Sequence, residues 1–248
     1  MTCKIKIYEN PNLKDPILLE GLPGIGLVAN IAVAFLIKKL GARVLCEFKS
    51  TFFPNISVVE ETGILKSPFC RLYYYQGRRR EEHDLLLLYG NTQAVTRQGQ
   101  YELCDTVLKI SKRFGCRYVI TLGGYKPGRR VERPNLYYAS SDEETAKTAE
   151  SLGAKILGGQ IYGAAGLLIA LAKLHGMRGF CLLAETSGDH LDALAAREVL
   201  RAILKILGLK INVEELRDPE KLADFLSPFD FGVLAKKEVL KPRPAWFI

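Results

Sequence analysis

The chain has 248 residues, 48% of them hydrophobic and 25% charged, with a formal net charge of +8 and a pI near 9.1. That balance is the balance of an ordinary globular protein, long enough for one large α/β domain or two small ones. It excludes a membrane-spanning chain: the longest apolar run, LVANIAVAFLI, is interrupted by Asn30 and closed by Lys38 and Lys39, well short of the about 18 residues a span needs.

The N-terminal stretch MTCKIKIYENP alternates as a strand over 4–8 and has no apolar core of the secretory kind, so a cytoplasmic location is expected. PILLEG (16–21) reads as the next strand and runs into LPGIGLVANIAVAFLIKKL, helical over 26–40. In this junction Gly24, Gly26 and Ala29 match the dinucleotide fingerprint G-x-G-x-x-G/A, and Glu47, closing the strand ARVLCEF (42–48), stands about 20 residues on, where a ribose-binding acid is placed. The plainer reading gives Gly21, Gly24 and Gly26 the task of a sharp strand-to-helix turn, with Gly26 or Ala29 permitting close helix-to-sheet packing. Spacing alone leaves both open.

Further strands are expected at 55–60, 69–75, 84–90, 117–124, 136–140 and 179–185, and helices at 97–114, 142–151, 164–175 and 190–207. Continuously apolar runs such as LLLLY suit a sheet buried on both faces. The alternation of strand and helix predicts an α/β fold with a single, mainly parallel sheet flanked by helices and a hairpin inserted near residues 55–90. Leu18, Leu19, Leu86, Leu87, Val119, Ile120, Leu182 and Leu183 are its expected core. Residues 1–226 are expected to form this one domain. In the remaining segment, 227–248, Pro242 and Pro244 exclude helix, so an extended C-terminal tail is expected, ending in Trp246, Phe247 and Ile248. Trp246 is the chain's sole tryptophan and sits where solvent exposure is greatest, which calls for a partner.

The chemistry-bearing residues are sparse. Six cysteines lie singly with no C-x-x-C pair and no histidine at ligand spacing, so they read as small buried hydrophobes and no metal site is expected. The basic clusters GRRREEH (77–83) and YKPGRRVERP (125–134) have no RNA-binding aromatic signature or helix-turn-helix pattern beside them, so nucleic-acid binding is not indicated. AETSGDH carries Glu185, Ser187, Asp189 and His190 at a strand end, but neighbours in sequence do not aim at one another as a triad. The expected role of Ser187, Gly188 and Asp189 is to turn the chain and cap the following helix. His175 is expected to close a helix and His83 to sit on the surface. The apolar segments LVANIAVAFLI and IYGAAGLLIALA offer surface for self-association.

Four motifs in order, EGLPGIGLVA, VITLGGY, GGQIYGAAGLLIALAKLHGM and CLLAETSGDHLDALAAREVL, resemble the proteasome assembly chaperone family, and its archaeal members in particular, over about residues 15–208. The resemblance implies a sandwich related to the nucleoside phosphorylase-like folds, no catalytic activity and no cofactor. It implies a homo-oligomer, tetramer or pentamer, that engages α subunits of the core-particle proteasome. It also implies a role for the tail. Some members end in a hydrophobic-tyrosine-any tripeptide, and here Trp246, Phe247 and Ile248 occupy those positions, with Phe247 where tyrosine is usual. The alternative is an NAD(P)- or nucleotide-dependent enzyme built on Gly21, Gly24, Gly26 and Glu47.

Overall fold

A computed structural model describes residues 3–59, 62–129, 131–188 and 191–217. In chain order the elements are β1 (Cys3–Ile7), β2 (Ile17–Gly21), a 3-10 turn (Ile25–Leu27), α1 (Val28–Leu40), β3 (Arg43–Ser50), β4 (Val58–Val59), β5 (Leu65–Lys66), β6 (Cys70–Tyr75), β7 (Leu85–Gly90) and α2 (Arg97–Arg113). There follow β8 (Tyr118–Tyr125), β9 (Leu136–Ser140), α3 (Glu143–Ser151), β10 (Lys155–Ile156), α4 (Ala164–Ala172), β11 (Arg178–Glu185) and α5 (Ala193–Leu207), with a last 3-10 turn at Glu214–Arg217.

Nine strands form one sheet in the order β1-β3-β6-β7-β2-β8-β11-β9-β10, and β4 with β5 makes a separate small ribbon. Its centre, β7-β2-β8-β11, is parallel, as the buried apolar strands predict. On one side β6, β3 and β1 extend it antiparallel, on the other β9 does. The expected inserted hairpin is therefore β6 and β7, whereas the strand expected at 55–60 pairs only within the ribbon.

Register explains how one sheet supports two cores. Leu87, Leu19, Ile120 and Phe180 stand opposite one another across the centre and face α1, α3 and α5. Leu86, Leu18 and Val119 form the adjacent row, facing α2 and α4. All eight expected core residues are buried.

The helices stop and start where local chemistry dictates. Thr96 caps α2 by accepting from the Gly99 amide at 3.0 Å, and Asp142 with Thr145 forms a reciprocal capping box on α3. α1 differs from the expectation of a self-association surface. Every residue from Val28 to Ile37 is buried, because the helix lies between the sheet and α5. α4 keeps an exposed apolar edge at Ala170, continued by Leu174 beyond its end, 80% exposed. No helix among the described residues is long and apolar enough to cross a membrane.

Candidate functional site at the carboxyl ends of the parallel strands

In an open parallel sheet the strand ends and the turns beyond them are where ligands gather. Here β2 ends at Gly21 and the chain turns through Leu22–Leu27 into α1. At Gly21 a β-carbon would overlap the Val33 side chain, so glycine lets α1 lie close on β2. Gly24 is extended, with φ −151°, and has open space beside it. Gly26 is left-handed, with φ 63°, and a β-carbon there would come within 2.7 Å of Thr186 Oγ1 and 3.3 Å of the Asp192 side chain. Both demands, the positive φ and the close approach, select glycine.

On the side of Gly26 the turn is closed by the chain itself, while Gly24 and Ile25 stay exposed. The Asp192 amide donates to the Gly26 carbonyl at 2.9 Å, the Gln93 side-chain amide donates to the Pro23 carbonyl, and Gly124 lies so close to the Ile25 carbonyl that a β-carbon would overlap it. Thr186 Oγ1 donates to Asp192 Oδ2 at 2.6 Å and accepts from the Gly188 amide at 3.1 Å. The other carboxylate oxygen of Asp192 caps α5 by accepting from the Ala195 amide at 2.9 Å. The cap is thus Asp192, not the Ser187–Asp189 segment expected from sequence. Ser187 is exposed, and Asp189 and His190 lie outside the described residues.

Below the turn are two buried polar side chains that periodicity does not single out. Asn30 donates from Nδ2 to the carbonyls of Gly21 at 2.8 Å and Gly90 at 2.9 Å, tying the ends of β2 and β7 to the first turn of α1. Glu20 is 1% exposed and accepts from the Leu22 amide at 2.7 Å, while its second oxygen has no hydrogen-bond partner among the described residues. Burial pushes its carboxyl up to about 8, against the smaller opposing effect of backbone amides. Glu185, at the end of β11, has the opposite environment. Burial would raise its carboxyl, but hydrogen bonds from Asn135, Tyr137 and Arg129 outweigh it and hold it below the ordinary value. This carboxylate pins the loop between β8 and β9 to the sheet.

Glu47 is not part of this site. A ribose-binding acid requires the strand after α1 to lie beside β2, yet β2 is flanked by β7 and β8, and β3 lies three places away. Glu47 there pairs with Arg71 at 2.9 Å. Ala29, the third fingerprint position, is 2% exposed and packed in the core. Gly21, Gly24 and Gly26 are together, then, but without the acid that the dinucleotide reading needs. Trp246, Phe247 and Ile248 lie outside the described residues.

All six cysteines are buried thiols, and burial pushes Cys46 up to about 12. Among the described residues no group of His, Cys, Asp and Glu side chains is arranged to hold a metal ion. His175 closes the helical segment after α4 and meets Asp105 at 2.9 Å, as a helix-end residue does.

Residues 18–223 match the model of the PAC2 family. The chain belongs to that family. This PAC2 protein is 34% identical over 223 residues to the uncharacterized protein MJ1210 of Methanocaldococcus jannaschii, covering 89% of this chain and 84% of that one. Its fold is similar to the crystal structure of Pyrococcus furiosus PbaB, an archaeal proteasome activator, with a TM-score of 0.83, 34% identity, and coverage of 92% of this chain and 98% of PbaB. Pyrococcus furiosus PbaA, an archaeal homolog of proteasome-assembly chaperone, gives a TM-score of 0.73 and 29% identity, with 96% of this chain and 99% of PbaA covered.

The glycine turn of this PAC2 protein was visible in sequence as a motif, but its partners were not. Asn30 follows the fingerprint alanine and Glu20 precedes the turn, so both positions were legible. A polar residue inside an apolar pattern was the one signal available for them.

Proposed function

We propose that this protein is a non-catalytic proteasome-binding factor that engages α subunits of the core particle, in the manner of an activator or an assembly chaperone. One observation carries the reading: the likeness to the archaeal proteasome activator PbaB, at 34% identity over 92% of this chain. That likeness is stronger than the one to the assembly-chaperone homologue, which favours the activator form. The bonding at Gly26 supports a scaffold role, since the loops that meet there bond to one another.

In this reading Trp246, Phe247 and Ile248 dock between α subunits. The terminal carboxylate pairs with a pocket cation and the aromatic rings fill an apolar groove, on an arm that Pro242 and Pro244 stiffen against entropy loss. Phe247 lacks a phenol hydroxyl, which weakens docking by about 1 kcal/mol relative to tyrosine. Presentation on a homo-oligomer multiplies the affinity through avidity. With α1 buried, the exposed edge of α4 and Leu174 is one face available for that assembly.

Pull-down and peptidase assays with purified core particle and isolated α subunits test this. Full-length protein is expected to bind both and raise peptide hydrolysis. Deletion of 246–248, or one residue added after Ile248, weakens binding by well over tenfold. Equal binding by parent, deletion and extension removes the tail from the mechanism. Binding to α subunits without stimulation of the mature particle identifies the assembly-chaperone form.

A further inference from the structure

The sheet is covered on both faces at its centre but on one face only at its antiparallel wing. α2 and α4 cover the wing residues Leu45, Phe48, Cys70 and Leu72. On the opposite face, the side of α1, no helix among the described residues lies over Glu47, Lys49 and Arg71, and a cleft of about 930 Å³ opens there beneath the loop 51–57 and residues 66–68. Phe53, Phe69 and Tyr73 supply aromatic walls, and Lys49, Lys66 and Arg71 supply cations. Among the described residues the one carboxylate lining the cleft, Glu47, already pairs with Arg71 at 2.9 Å and lies 3.8 Å from Lys49. Arg71 also stacks on Phe69, with its guanidinium carbon 4.7 Å from the ring centroid. On the neighbouring strand Lys4 stands directly opposite Lys49 and Lys6 opposite Glu47, so two lysines share one register position on the same face. Like charges so placed are destabilising unless an anion lies between them.

The chain contains a segment of complementary character. Residues 224–231, DFLSPFDF, hold Asp224 and Asp230 among Phe225, Leu226, Phe229 and Phe231, with no basic residue. The following stretch KKEVLKPRP is basic, and the preceding RDPEKLA carries two charges of each sign. We infer that residues 224–231 of the same chain occupy the cleft, with their carboxylates on Lys49, Lys66 and Arg71 and their rings against Phe53 and Phe69. Reach supports this. Glu215 is joined to Lys39 at the end of α1 by an ion pair of 2.6 Å, close to where β3 begins at Arg43. From Arg43 to Glu47 and Lys49 is ~13 to 20 Å along the strand, and the seven residues 218–224 span up to ~23 Å when extended. Docking of 224–231 anchors the base of the tail while leaving residues 232–248 free to act at a distance. The inference is independent of what the tail binds.

The test uses full-length protein with the photo-cross-linker benzoylphenylalanine in place of Phe229, in an equal mixture of ordinary and 15N-labelled copies. Mass spectrometry is expected to find cross-links to residues 49–73 within single copies. Lys49→Glu with Lys66→Glu is expected to reduce their yield at least tenfold, and adding Asp224→Lys with Asp230→Lys to restore it. Thermal unfolding of each variant checks that the domain stays folded. Cross-links that join labelled to unlabelled copies assign the cleft to a neighbouring protomer and overturn the inference. Cross-links to the α4 face, no cross-links at all, or a yield unmoved by charge reversal overturn it equally.

Discussion

The parallel centre of the sheet and its antiparallel wing are built from the same pleated backbone, yet they solve different problems. In the centre every residue of β2 and β7 is buried, and the polar groups at the strand ends are tied by Asn30, Thr186 and Asp192. In the wing β3 alternates beyond a register shift between Val44 and Cys46, with Cys46 and Phe48 inward and Glu47 and Lys49 outward. The centre accepts no change of volume at its tight turns. The wing accepts changes of side chain on its outer face, because no helix among the described residues packs there.

Substitutions should separate the two regions by size of effect. The largest is expected at Gly124→Val. Its side chain would overlap the Ile25 carbonyl and crowd Thr186, so the glycine turn must move. A loss of roughly 4 kcal/mol is expected, which lowers Tm by about 10 °C, measurable by calorimetry.

Next is Glu20→Gln, through its pH dependence. Burial raises the native carboxyl to about 8 from an ordinary value of 4.5, so between these values the folded state holds a proton that the unfolded state releases. Its contribution is complete below about pH 4.5 and is lost as pH rises through about 8. The parent is therefore expected to lose stability from pH 5 to 9, by on the order of 4 kcal/mol from this group alone. Glutamine, neutral throughout, removes that loss. Denaturant melts of parent and variant across this range check it, and parallel curves would mean that Glu20 is already ionised and paired in the native protein.

Asn30→Ala is expected to cost about 2 to 3 kcal/mol, since it strips two buried carbonyls of their donor. Urea midpoints measure it. A loss under about 0.5 kcal/mol would show that water replaces the amide.

The smallest effect belongs to the wing. Lys49→Ala removes an exposed cation 3.8 Å from Glu47 and opposite Lys4, and is expected to change stability by less than about 0.5 kcal/mol. A loss comparable with that of Asn30→Ala would show that the contact inferred between Lys49 and residues 224–231 stabilises the domain itself rather than only anchoring the tail.

These residues also show how far the sequence could be read. Strand and helix periods located the major elements, because side-chain period follows from backbone geometry whatever lies across the core. The start of α5 was missed by three residues, since Ser187, Asp189 and Asp192 are each competent caps and only the bond from Thr186 to Asp192 selects among them. β5 and β10, two residues each, were missed because so short a run has no period. α1 was read as a helix correctly but as surface wrongly. Its all-round apolarity states that it is covered and does not say by what, which here is α5.

What the sequence determined by itself is local: which stretches are strand or helix, where Gly21 and Gly26 permit a sharp turn, and that Leu18, Leu19, Leu86 and Leu87 belong inside. Those follow from side-chain volume, polarity and φ preference, which each residue carries alone. Strand order was decided by tertiary structure alone. The fingerprint glycines and Glu47 have the spacing of a dinucleotide site, but that spacing is a distance along the chain. Placing β6 and β7 between β3 and β2 separates the acid from the turn and brings Thr186 and Asp192, more than 150 residues away in sequence, onto Gly26. Long-range packing sets which neighbours meet, and it is neighbours that make one glycine turn a cofactor cradle and another the closed corner of a scaffold.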